Sequence, residues 1–149
     1  MESEELLPQS VLSKASLRGK EYAWQKNDVE EAVLADKHQN LATLGGEVQF
    51  RIPNGTCELY WLSFDPTPRL TSESWQDYVM RSADECVANF DRLCKTTDFA
   101  QIGKEEVGIL RELAETEDIN VYLCFVLYFV TEEKYNEFSL PPSPASPES

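Results

Sequence analysis

Ten consecutive residues, Val121 to Val130, contain no charge, glycine or proline. The run is about half the length of a membrane-spanning helix. It is dominated by β-branched and aromatic residues, so it reads as a strand buried inside a sheet. Such a strand needs hydrogen-bonding partners on its edges and cover on both faces. Its faces differ: Val121, Leu123, Phe125, Leu127 and Phe129 are purely apolar, whereas Tyr122, Cys124, Val126, Tyr128 and Val130 carry two hydroxyls. The first face is expected to lie under helices.

Partners for this strand are legible upstream. Asn54-Gly55 separates two alternating runs, Glu47 to Ile52 and Cys57 to Leu62, the pattern of a hairpin. A two-residue Asn54-Gly55 turn pairs Ile52 with Cys57, Phe50 with Leu59 and Val48 with Trp61, placing all six apolar side chains on one face. Arg51 then sits opposite Glu58, and Gln49 opposite Tyr60. A turn that begins at Pro53 shifts this register by one and sets Phe50 against Glu58, so the apolar alignment favours the first register. Leu41 to Leu44 begins an extended segment, with Gly45-Gly46 as a bulge or bend before Glu47. No helix follows the glycine pair, so it is not a phosphate loop.

The cover comes from a long amphipathic helix. Trp75, Tyr78, Val79, Ala83, Cys86, Val87, Phe90, Leu93 and Cys94 recur at steps of three and four, with Ser74 as cap and Asp77 three residues on. A second helix is expected over Asp28 to His38, capped by Asp28 and closed by Asn40, with Trp24 packing back on it. A third is expected over Lys104 to Thr116, weakened by Gly108; Lys104 to Asp118 holds six acids against two bases and is the most acidic structured stretch. These elements predict a single α+β domain over residues 10–138, a mainly antiparallel sheet packed against the long helix. Residues 1–9 and the Pro/Ser-rich residues 139–149 are expected to be disordered.

Charge then limits function. With 27 Asp and Glu against 13 Lys and Arg, the chain carries a net charge of −14, which repels nucleic-acid backbones and anionic membranes and attracts basic proteins. His38 is the single imidazole; no Cys-His or Ser-His-Asp set and no metal-ligand spacing accompany it, so no catalytic residue, metal or cofactor is expected. Acidic pairs such as Glu30-Glu31, Glu105-Glu106 and Glu132-Glu133 read as solvated helix faces. Cys57, Cys86, Cys94 and Cys124 lie within apolar segments and form no Cys-x-x-Cys pair, fitting reduced core thiols in the cytoplasm. The acidic Met1 to Glu5 lacks the pattern of a secretory signal.

The candidate binding residues are Gln49, Arg51, Glu58, Tyr60, Tyr122 and Tyr128, which share the second sheet face if the hairpin pairs beside the central strand. Rigid aromatics and forked polar groups of this kind are enriched at interfaces and in polar pockets. The function expected is a small acidic protein-binding module, an inhibitor or immunity-like neutraliser of a basic partner. The alternative is a small-molecule binder or enzyme whose pocket combines Arg51 with Glu58 and Tyr60 beside a displaced carboxylate. A third reading, carboxylates imitating phosphates, needs regular spacing over a surface, which periodicity along the chain cannot supply.

Overall fold

The computed structural model describes residues 3–139. Its strands are β1 (Ser16–Arg18), β2 (Glu21–Trp24), β3 (Ala42–Ile52), β4 (Gly55–Ser63) and β5 (Leu123–Val130). Its helices are α1 (Gln9–Leu12), α2 (Lys26–His38), α3 (Trp75–Thr96), α4 (Phe99–Glu106), α5 (Gly108–Leu113) and α6 (Glu132–Ser139). The strands form one antiparallel sheet in the order β1-β2-β5-β3-β4. The chain is a single α+β domain, with the apolar run as its middle strand and the 22-residue α3 packed on the sheet.

The two faces of β5 are covered differently. Phe125, Leu127 and Phe129 join a core to which α1 to α5 contribute Val11, Val29, Ala32, Val33, Cys86, Phe90, Phe99 and Leu110. The Phe125 ring meets Phe64, Phe90 and Phe99 edge-on, with centroids 6.3, 4.9 and 5.5 Å away. Such aromatic contacts add to the area that the rings bury. On the opposite face, Val130 packs with Ala42 against Trp75, Tyr78 and Val79 of α3, whereas the cluster of Ala23, Cys124 and Val126, with Tyr128 against it, contains no helix residue among the described residues.

α3 begins as its sequence dictates, with the Ser74 side chain accepting from the Asp77 amide at 3.1 Å. Other boundaries differ from expectation. α2 starts at Lys26, with Asp28 in its first turn rather than at the cap. Trp24 belongs to β2 and is fully buried, its Nε1 donating to Val11 O at 3.1 Å. The helix expected over 104–116 is two helices. Asp98 starts α4 by accepting from the Gln101 amide, and the extended Val107 separates α4 from α5, where a β-branched residue precedes a glycine. Asp118 accepts from the Asn120 amide and opens a 3-10 turn, Ile119–Tyr122, so β5 begins at Leu123.

Where a disordered end was expected through residue 9, Ser3–Leu6 forms a 3-10 turn and Leu7 is buried in the main core. The chain has apolar residues to anchor there, Leu7 and Val11, which pack into the same cluster as Trp24. Of the tail expected to be disordered, all but Ser139 lies outside the described residues.

The β3–β4 hairpin adopts neither register read from the sequence. Ile52 pairs with Gly55, Phe50 with Cys57 and Val48 with Leu59, so Pro53 and Asn54 form the corner. Proline cannot donate to a ladder and its fixed φ suits a corner, which moves the turn back one residue at each side. The slip is two residues, and side chains alternate with a period of two, so Val48, Phe50, Ile52, Cys57 and Leu59 keep their common face, while Trp61, expected opposite Val48 on it, is 48% exposed. Beyond Leu59 the register jumps, Glu47 pairing with Ser63, and Tyr60, Trp61 and Leu62 bulge from β4.

A second bulge lies between Thr43 and Gly45, as the glycine pair suggested. Gly45 adopts φ +131°, and a Cβ there would lie 1.9 Å from Asp65 Oδ1. A Cβ on Gly46 would lie 2.2 Å from the Val126 carbonyl oxygen and 2.6 Å from the Phe64 ring. Gly46→Ala is therefore expected to cost about 3 kcal/mol. Gly108→Ala, whose Cβ would meet nothing, should change stability by less than about 1 kcal/mol. Urea midpoints at constant slope measure both, and equal midpoints would contradict the packing at Gly46.

Candidate functional site

The alternation of β3 sends Glu47, Gln49 and Arg51 to the second face, beside Val126 and Cys124 of β5, where the buried cluster contains no helix residue among the described residues. The cover there is the β1–β2 hairpin. It pairs with β5 only through Ala23 and Trp24, and its corner is Gly19-Lys20, with Gly19 at φ +62°. Arg51 Nη1 donates to Ser16 O at 2.7 Å and Ser16 Oγ at 3.1 Å, Nη2 to Glu21 O at 3.1 Å, and Nε to Gln49 Oε1 at 3.0 Å. Arg18 Nη1 donates to Gly55 O at 2.7 Å, joining β1 to β4. A flat sheet would hold those outer strands about 19 Å apart, four spacings of about 4.8 Å, so the sheet is rolled and the hairpin lies across its second face.

Arg51 is 7% exposed and Gln49 1%. Among the described residues, Arg51 forms no ion pair; neutral oxygens take its donors. Close by, Tyr128 Oη is 2.9 Å from Glu21 Oε2 and 3.2 Å from Glu47 Oε1. Its one proton can serve one carboxylate at a time. Burial raises the Glu47 carboxyl above its usual range, and the charges of Glu58 and Glu21 push it further the same way. Burial and the Glu21 carboxylate likewise raise the Tyr128 phenol, which stays protonated.

Of the six residues singled out in the sequence, Gln49, Arg51 and Tyr128 thus enter one polar layer, with Glu21 as the common partner of Gln49, Arg51 and Tyr128. Glu58 pairs with Gln49 across the strands but is exposed. Tyr60, on the bulge, is 70% exposed and stacks edge-on with Trp61 at 5.4 Å, itself 48% exposed. Tyr122 leaves the strand and donates its hydroxyl to Glu117. Ser16, Arg18, Glu21 and Glu47 were not singled out. Glycine in the first corner position between the short runs Ser16-Leu17-Arg18 and Glu21-Tyr22-Ala23-Trp24 was the available sign of the missing hairpin.

One concavity opens at this layer and another at the β3–β4 corner. A cleft of about 230 Å³ is lined by Lys14, Ser16, Gln25, Arg51, Tyr122 and Cys124, among others; neither Glu58 nor Tyr60 reaches it. The second, about 370 Å³, lies between the β3–β4 corner and α5. His38 is exposed in the last turn of α2. All four cysteines are free, and burial pushes the Cys86 thiol up to about 12, leaving it protonated. No group of three or more potential metal ligands converges among the described residues, and no helix among them is long and apolar enough to cross a membrane. Comparison with protein-family models, with curated proteins and with solved structures finds no match.

The raised Glu47 carboxyl fixes a direction for pH dependence. Between its ordinary value of 4.5 and its folded value, the folded chain holds a proton that the unfolded chain has released. That contribution to stability is present at low pH and is lost as pH rises through the folded value. Relative to Glu47→Gln, the parent chain should gain stability on acidification from neutral pH towards 4.5. Urea denaturation of both at several pH values measures the difference, and a flat difference would contradict the burial of this carboxylate.

Proposed function

We propose that this chain is a small acidic protein-binding module of the inhibitor or neutraliser class, and that its partner is a basic protein. The observation that carries the reading is the Tyr60–Trp61 pair on β4. Two large aromatics stand in solvent on the outer strand of the sheet. Exposed aromatic anchors of this kind are enriched among residues that dominate binding energy. An unpaired strand edge beside them offers backbone donors and acceptors to an added strand. Glu58, exposed on the same strand and in no ion pair among the described residues, supplies the sign of charge that a basic partner would meet.

The net charge of −14 acts at longer range. It raises the rate of encounter with a cationic protein and makes that rate sensitive to salt. Electrostatic repulsion disfavours nucleic acid and anionic membrane as partners on this reading. The setting that suits four free thiols is the cytoplasm. The small-molecule alternative needed Arg51, Glu58 and Tyr60 to line one pocket, and the Arg51 cleft is lined without the other two. The protein-binding reading is therefore the better supported.

The tagged chain, purified from its own cells at low ionic strength, is expected to carry a basic protein in stoichiometric amount. That protein should be shed by added salt. Tyr60→Ala combined with Trp61→Ala should weaken the complex by about tenfold or more while leaving the melting temperature within a few degrees of the parent's. A complex indifferent to salt, or indifferent to the double substitution, would contradict the proposal.

A further inference from the structure

The concavity beside α5 has a chemistry of its own. Ile52, Pro53, Ile109 and Leu113 give it an apolar floor and wall, and Glu112 and Glu117 stand on its margin. Ile109 is 49% exposed, an aliphatic side chain left in water at the mouth. Among the described residues, no lysine or arginine lines the groove. The two bases of this acidic stretch do not neutralise it. Arg111 turns back to cap α4, its Nε donating to Lys104 O at 2.8 Å and its Nη2 to Glu105 O at 3.1 Å. None of the six acids between residues 104 and 118 takes part in an ion pair among the described residues.

An apolar floor with carboxylates at its margin is the complement of a lysine or arginine side chain, which has an aliphatic stem and a cationic head. We infer that this groove receives a Lys or Arg side chain of the basic partner protein, its stem against Ile109, Leu113 and Pro53 and its head between Glu112 and Glu117. The inference rests on the protein-binding reading and extends it to a second contact. The groove lies at the corner where β4 begins, so an extended segment added along β4 starts at the groove and runs towards Tyr60 and Trp61.

Panning a random-peptide phage library against the intact chain tests this. Selected peptides are expected to be enriched in Lys and Arg around an apolar residue. Ile109→Ser and Glu112→Gln should each weaken the best of them by about fivefold or more, with circular dichroism unchanged. Glu30→Gln on α2 removes the same charge elsewhere and should leave affinity within about twofold. Equal weakening by Glu30→Gln and Glu112→Gln would mean diffuse attraction and overturn the groove. Basic peptides unaffected by Ile109→Ser and lost with Tyr60→Ala and Trp61→Ala would overturn the groove and leave the β4 reading standing. Selection of peptides without a basic excess, or of none, would overturn both.

Discussion

The strand β5 must be buried on both faces, and the helices cover one of them along its length but reach the other only at Val130, against Trp75, Tyr78 and Val79. Everything on the second face follows from that imbalance. The chain solves it by rolling the sheet, so that β1 and β2 become cover as well as strands. The hinge of this arrangement is the Arg51 guanidinium, which reaches two segments at once, Ser16 of β1 and Glu21 of β2. A planar fork with five donors suits this task, and an ammonium would not span the same acceptors. A buried cation without a carboxylate partner is costly. Here four hydrogen bonds to oxygens of Ser16, Glu21 and Gln49 replace its hydration. The Glu21 carboxylate lies one amide away through Gln49.

Much of the layer under the helices was legible because it obeys local periodicity. The α3 stripe, the Ser74 cap, the differing faces of β5 and the bulge at Gly45 follow from neighbours three, four or two residues apart. The hairpin register differs from the expected one by two residues, and the faces hold as far as Leu59, because only an odd slip exchanges them. Tyr60 and Trp61 could not be placed from alternation. Their exposure depends on the three-residue bulge, which coincides with the close approach of Phe64 and Asp65 to Gly46 and Gly45. Arg51 was singled out, but its partners lie 30 and 35 residues away on strands of four and three residues. Such short strands carry too little alternation to be read.

The acids answer to a different logic from the core. Among the described residues, ion pairs engage only Glu31, Asp84, Glu73 and Glu85. Arg81 bridges two of these, and its hydrogen bonds hold Glu73 down at about 2. That cluster fixes the loop before α3, since Arg81 also donates to Thr67 O and Pro68 O. The remaining carboxylates mostly stand in water and repel one another, which works against a compact state. Some of them still serve the fold, Asp98 and Asp118 by accepting backbone amides at helix starts and Asp65 by accepting from the Gly46 amide, so the repulsion falls on the exposed remainder.

β4 is where these separate constraints converge. Its inner edge is paired with β3 and its outer edge is the end of the sheet. At one end lies the acid-rimmed groove beside Pro53, and six residues on from Asn54 lies Tyr60, about 20 Å along an extended strand. Tyr60 and Trp61 stand in solvent, and the groove borders the helical core through Ile52 and Leu113. A surface built this way can change without unfolding the domain, because its aromatics and carboxylates lie outside the packing around Phe125. An extended cationic segment of about six residues has the length to cover the interval. On the proposed reading, the edge would supply its backbone partners, Trp61 and Tyr60 its apolar contacts, and Glu58, Glu112 and Glu117 its counter-charges.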